Sequence, residues 1–150
     1  MTKSDVSTAV VATAERVALD TSCAVPLLMA THPSHAAVRS AIATRNTVLT
    51  AHSLAETYSV LTRLSGDARV EPKDAARLIA SEFGEPALVD DAVTRTLATT
   101  LSTVGIAGGA VYDALVGLAA LSENLTLMTR DARALGTYAA VGARVEMVGA

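Results

Sequence analysis

Between Arg95 and Glu123 the chain carries one charged side chain, Asp113, set inside the apolar run Ala110-Val-Tyr-Asp-Ala-Leu-Val-Gly-Leu-Ala-Ala-Leu121. A run this long and this apolar reads as a central helix buried on most sides. Asp113 is therefore expected largely out of water. An ionised carboxylate there is strongly disfavoured unless it is paired, hydrogen-bonded or bound to a metal. No cation lies close by in sequence. Either Asp113 is protonated or satisfied within its helix, or it faces a cation whose other ligands come from elsewhere in the chain.

The chain has room to supply them. With 150 residues, 51% hydrophobic and 18% charged, it can bury a full core as one domain. A formal net charge of −3 argues against wholesale wrapping of nucleic acid but permits a local basic patch beside an acidic site. The single Cys23 cannot form an internal disulfide, which fits a reducing compartment, the cytoplasm. No apolar run reaches the roughly 18 residues that span a bilayer. Ala12-Thr13-Ala14 has the look of a signal cleavage site, but the apolar piece before it is too short, so residues 1–16 read as a flexible N-terminal extension.

From there the chain alternates strand-like and helix-like pieces. Strands are expected at Arg16 to Asp20, Thr47 to Thr50, Ala87 to Val89, Leu125 to Thr129 and Arg144 to Val148. Helices are expected at Val25 to Ala30, Ser34 to Thr44, Ser53 to Leu64, Pro72 to about Glu82, Asp91 to Ser102, the central run, and a short piece from Ala132. In the third of these, Leu54, Tyr58 and Leu61 share a face. Strands alternating with helices predict an α/β fold with a parallel sheet covered on both faces.

In open α/β sheets ligands bind beyond the carboxyl ends of the strands. Asp20 ends the first strand and Asp131 follows the strand that ends at Thr129. Each could simply cap a following helix, and Ser53-Leu-Ala-Glu56 fits a capping box that would occupy Glu56. Taken with Asp113, the same acids form an oxygen-only ligand set with no His or Cys cluster. Such a set suits Mg2+ or Mn2+, ions that take phosphate oxygens as further ligands, and the implied chemistry is hydrolysis at phosphorus.

Leu19-Asp20-Thr21-Ser22, Ala55-Glu56, Tyr112-Asp113-Ala-Leu-Val-Gly-Leu-Ala-Ala120 and Leu127-Met-Thr129-Arg-Asp131 resemble, in order, the acidic motifs of PIN-domain ribonucleases, specifically the VapC toxins of bacterial VapBC toxin-antitoxin modules. The resemblance covers the chain from about Val17 onward and makes residues 17–150 a PIN-like nuclease domain. It implies a three-layer α/β/α sandwich around a parallel sheet and a metal-dependent endoribonuclease. Carried over by position, Asp20, Glu56, Asp113 and Asp131 are the catalytic, metal-binding quartet for Mg2+ or Mn2+. Thr21, Ser22 and Thr129 would orient those carboxylates or bound waters. The implied partners are an RNA substrate, a VapB-like antitoxin and a second copy in a homodimer, with no membrane. A guanidinium pairs carboxylates in bidentate fashion, so the antitoxin is expected to insert an Arg or Lys near Asp20 and Asp113. Family members usually begin a few residues before the first Asp, and this chain departs from that in residues 1–16.

Arg130 and Arg133 flank Asp131 and are candidates for RNA phosphates, or else solvated surface charges. His32, His35 and His52 lack metal-ligand spacing, and His52 with Glu56 at i, i+4 reads as a surface helix pair. Ala87-Leu-Val-Asp90-Asp91 is similar to the acidic pair of a receiver domain, but it falls mid-chain and no lysine sits on the last strand. Gly105-Ile-Ala-Gly108-Gly109 follows no strand and fails the dinucleotide fingerprint. Outside catalysis the alternative is an inactive PIN-like module whose acidic pocket binds a protein partner.

Overall fold

Three hydrophobic residues in a row, Val17-Ala-Leu19, set the middle of the molecule. They lie in strand β1 (Arg16–Leu19) and are completely buried, which requires cover on both faces of the sheet. The computed structural model describes residues 14–149. Strands β2 (Asn46–Leu49), β3 (Thr126–Thr129) and β4 (Val145–Met147) complete a parallel sheet in the order β2-β1-β3-β4. The alternating side chains divide the core in two. Val17, Leu19, Leu49 and Met128 face one layer of helices, α1 (Thr21–Leu28), α2 (His35–Ile42), α3 (Ala51–Thr62) and α4 (Pro72–Glu82). Ala18, Val48 and Leu127 face the opposite layer, α7 (Ala110–Ser122) and α8 (Leu135–Ala140). Between these layers in sequence come α5 (Asp91–Arg95) and α6 (Leu97–Thr103), of which Val93, Leu97 and Leu101 pack with Ala114 and Leu118 of α7. The expected α/β/α arrangement is present.

Several elements differ from expectation for identifiable reasons. Helix α1 begins four residues early, at Thr21, because burial of Cys23, Ala24 and Leu27 outweighs the weak helix preference of Thr21 and Ser22. The third expected strand is only a bridge between Thr50 and Ala87. Pro86 has no N–H to give a ladder, and the N–H groups of Leu88 and Asp90 donate instead to the Glu123 carboxylate at 2.6 Å and to Ser122 Oγ at 3.0 Å. The helix expected from Asp91 to Ser102 breaks at Thr96, which ends α5 and opens α6. There the Thr96 hydroxyl donates back to the Ala92 carbonyl at 3.1 Å, a bond that bends helices.

Helix α3 matters most for the site. Its N-cap is Thr50, not Ser53. Thr50 Oγ1 accepts from the Ser53 N–H at 3.1 Å, and Ser53 Oγ accepts from the Thr50 N–H at 2.9 Å. Ser53 Oγ also donates to the Leu19 carbonyl at 3.0 Å, tying the start of α3 to the end of β1. The buried face of α3 is therefore Ser53, Thr57 and Leu61 rather than Leu54, Tyr58 and Leu61, and Tyr58 is exposed. With Ser53 in the box, Glu56 is released from capping.

One close approach sets the depth of α7. A Cβ at Gly117 would come 2.8 Å from Val141 Cγ2 and 3.3 Å from the Tyr138 ring. Only glycine lets α7 settle onto α8 at this distance, and Tyr138 is thereby pinned beneath the site described next.

Candidate active site

After β1 the chain crosses to β2 on one side, and β3 lies on the other, so the strand order reverses between β1 and β3. Ligand crevices in parallel sheets form at that switch point, beyond the carboxyl ends of the strands. Asp20 follows β1 and is 5% exposed. Its side chain does not cap α1, since it accepts nothing from that helix's backbone. It accepts instead from three hydroxyls: Ser22 Oγ on Oδ1 at 2.5 Å, and Thr129 Oγ1 and, at 2.8 Å, Tyr138 Oη on Oδ2. Two of these hydroxyls are themselves oriented by backbone. The Arg130 N–H donates to Ser22 Oγ at 2.7 Å and the Asp131 N–H donates to Thr129 Oγ1 at 3.0 Å. Each relay runs from amide to hydroxyl to carboxylate, so that both Asp20 oxygens act as acceptors. A carboxylate offers about four acceptor positions. Three are taken here, leaving room for a ligand on the cleft side.

The other acids gather around the same cleft, a cavity of about 460 Å³ lined by Asp20, Glu56, Asp113 and Asp131 among others. Asp131 does cap, as expected: its Oδ1 accepts from the Arg133 N–H at 3.0 Å at the head of a short 3-10 turn, Ala132–Ala134. Asp113 projects from the first turn of α7 and is half-buried, less enclosed than the apolar run implied. The reason is position. Full burial of α7 begins only at Ala114, and the preceding Tyr112 is 58% exposed. Burial raises the Asp113 carboxyl above the ordinary value of 3.8, and the negative charges of Asp131, Asp20 and Glu56 push it further the same way, with His52 opposing. Glu56, on the second turn of α3, has a side chain 47% exposed and lies 3.4 Å from His52 Nε2.

Of the supporting residues named from sequence, Ser22 and Thr129 hold Asp20, while Thr21 lines the cleft and its hydroxyl has no hydrogen bond among the described residues. Arg130 and Arg133 both line the cleft. Arg133 Nε lies 3.4 Å from Asp131 Oδ1 with its side chain 94% exposed, whereas Arg130 Nε is buried without a partner. His32 also lines the cleft, but its Nδ1 is taken by the Ser34 N–H at 3.0 Å. Sequence reasoning missed Tyr138, whose phenol is pushed far above its ordinary range by burial and by the Asp20 carboxylate it serves. Nothing in Leu135-Gly-Thr-Tyr138 marks it as different from a core aromatic. Cys23, beneath the site, is an inert thiol: burial, then the Asp20 charge, push it up to about 12.

The donor set fits a hard divalent cation. It consists of carboxylates, and their mutual repulsion, felt at Asp113, is what a cation would relieve. Among the described residues, no three His, Cys, Asp or Glu side chains converge closely enough to hold an ion in this arrangement. Asp20 is fixed by its three donors. Glu56, long and half in solvent, is the member with freedom to swing inward.

The PIN domain profile matches residues 17–140. Over 129 residues the chain is 52% identical to Ribonuclease VapC27 of Mycobacterium tuberculosis, spanning 86% of this chain and 94% of that protein. It is 39% identical over 133 residues to Ribonuclease VapC40 of the same species, spanning 88% and 98%. Among solved structures, VapBC2 from Rickettsia felis, crystallised with a DNA fragment from its promoter, superposes with a TM-score of 0.62, covering 88% of this chain and 98% of that one. At 18% identity that likeness bears on the fold alone. The family profile spans most of the chain and both ribonuclease relatives match it over nearly their whole length, and the chain belongs to the PIN-domain family, among the VapC ribonucleases.

Proposed function

We propose that this chain is a metal-dependent endoribonuclease, the toxin of a toxin-antitoxin pair, acting in the cytoplasm on RNA phosphodiester bonds. The observation that carries the reading is that four carboxylates line one cleft at the switch point, with the deepest, Asp20, fixed in place by three hydroxyl donors. Asp20, Glu56, Asp113 and Asp131 would hold Mg2+, or Mn2+ in its place. When bound, the ion supplies an acidified water and charge neutralisation at the phosphate. The chain's own part is placement. Ser22 and Thr129 keep the Asp20 oxygens in a fixed plane, Tyr138 closes the pocket from below, and Asp131 is held by the Arg133 N–H. Arg133 reaches into solvent at the mouth, and the unpartnered Arg130 Nε is a donor that a phosphate oxygen would satisfy.

The partners follow from the same reading: an RNA substrate, a second copy in a homodimer, and a VapB-like antitoxin. No helix among the described residues is long and apolar enough to cross a membrane. The antitoxin is expected to seat an Arg or Lys against Asp20 and Asp113, because a guanidinium satisfies the same carboxylates as the cation. A complex in which the antitoxin leaves the cleft open, with no steric block, would end that part of the reading.

The test is cleavage of total RNA by the antitoxin-free protein. Activity should require Mg2+ or Mn2+, disappear in EDTA, and disappear in both Asp20→Asn and Asp113→Asn. Cleavage indifferent to EDTA would remove the metal from the mechanism. A folded wild type that binds a partner protein through the cleft but cuts no RNA would establish the inactive module instead.

A further inference from the structure

The chain has four aromatic residues besides histidine, three Tyr and one Phe, and Tyr112 is the most exposed. It sits on the first turn of α7 directly before Asp113, and its ring is stacked on that of His52, with centroids 5.3 Å apart and planes 15° from parallel. His52 belongs to the first turn of α3, one turn before Glu56 and on the same face, with Nε2 3.4 Å from Glu56 Oε2. The pair therefore bridges the two helices that carry Glu56 and Asp113, at the edge of the acidic cleft. Folding alone gives no reason to leave a phenol ring 58% in water there. A large aromatic held nearly flat by a neighbour, with the rest of its surface open, is the arrangement on which an unpaired base stacks.

The geometry points to the His52–Tyr112 stack as a platform for an unpaired nucleobase of the RNA, next to the phosphate held in the carboxylate cleft. This inference rests on the ribonuclease reading and extends it to how the strand is held. Charge favours a stacking contact at this edge over an ionic one. Glu56, Asp113, Asp20 and Asp131 make the surroundings acidic, so phosphate attraction is weak until cations are present, whereas stacking carries no such penalty. The partner is single-stranded RNA, since a base within a duplex has both faces covered. A purine should bind better than a pyrimidine because its ring system overlaps more of the phenol. His52 is a positioning residue here: it fixes the Tyr112 ring through the stack while its Nε2 side is engaged with Glu56.

The experiment uses the full chain and short unstructured RNA oligonucleotides carrying 2-aminopurine at successive positions, titrated at low salt in EDTA, where metal-dependent cutting cannot occur. One position should be quenched on binding. Tyr112→Ala should remove that quench and weaken binding by about 5- to 150-fold, the range that one base-aromatic stack supplies, and Tyr112→Phe, which keeps the ring, should restore both. With wild-type protein, an abasic nucleotide at the quenched position should cost a similar factor, a result that needs no variant to fold. Unchanged affinity and quench in Tyr112→Ala, equal loss in Ala and Phe variants, or full-strength binding of the abasic RNA would each overturn the platform. If wild-type protein with Mg2+ cuts no RNA, the ribonuclease reading falls separately, while the titration still decides whether a base is bound.

Discussion

Asp20→Asn is expected to abolish RNA cleavage and to lower the melting temperature together, whereas Asp113→Asn abolishes cleavage alone. The two carboxylates line one cleft but are supported differently. Asp20 is buried and accepts two hydroxyl donors on Oδ2 and one on Oδ1. Whichever way an asparagine amide is turned, its NH2 meets at least one hydroxyl already committed as a donor by the backbone relay from Arg130 or Asp131. A lost hydrogen bond to a charged group is worth about 1.5–3 kcal/mol. At about 2–4 °C per kcal/mol for a chain of this size, the melting temperature falls by about 3–12 °C. Asp113 is half-buried and, among the described residues, its carboxylate accepts no hydrogen bond, so its replacement leaves nothing unpaired. On cleavage both losses should exceed the roughly 10- to 100-fold typical of residues that merely support a metal ligand. Rates of RNA cleavage and melting curves on the same preparations decide this. An Asp113→Asn protein that melts as low as Asp20→Asn would make Asp113 a structural residue.

That contrast was only half legible in the sequence. Four of the five expected strands, the central helix with Asp113, and the acids Asp20 and Asp131 can be read because each has a local cause: an apolar run, a break at Pro or Gly, an acid at a strand end. Glu56 has no such cause and stands out only through the motif resemblance. Helix α3 shows where local reading stops. Ser53-Leu-Ala-Glu56 fits a capping box as well as Thr50-Ala-His-Ser53 does, and the choice is made by the Leu19 carbonyl, 34 residues earlier, which takes the Ser53 hydroxyl. Tyr138 was invisible for a related reason. It serves Asp20 across 118 positions of sequence, and the contact exists only because Gly117 lets α7 and α8 close to van der Waals distance. Asp113 lies in the expected helix but nearer the surface than the apolar run suggests, since apolarity along a helix does not tell which end emerges from the core. The bridge at Ala87 in place of a strand follows from Glu123, whose carboxylate takes the Leu88 N–H.

If the proposed cation binds, it should stabilise the fold measurably. Burial and the charges of Asp131, Asp20 and Glu56 hold the Asp113 carboxyl above its ordinary value of 3.8, so without metal, at pH between the ordinary and the raised value, the folded chain keeps a proton there that the unfolded chain has released. The folded state then binds more protons, and stability must fall as pH rises from that ordinary value through the raised one, with the loss complete above it. A bound cation takes the place of the proton. It should therefore stabilise most at neutral pH and progressively less as acid returns the proton to the site. At free Mg2+ near a hundred times its Kd, linkage gives about 2.7 kcal/mol, or about 5–10 °C in melting temperature. Asp113→Asn separates the causes. It removes one repelling charge, so in EDTA it should melt at or above wild type and lose the decline with pH, yet it should gain little from Mg2+ because a ligand is missing. The measurement is a set of melting curves for both proteins, in EDTA and in excess Mg2+, from acidic to neutral pH. If the Asn variant melts far below wild type in EDTA and gains as much from Mg2+, Asp113 does not belong to the metal site, and the quartet loses the member on which its electrostatics turn.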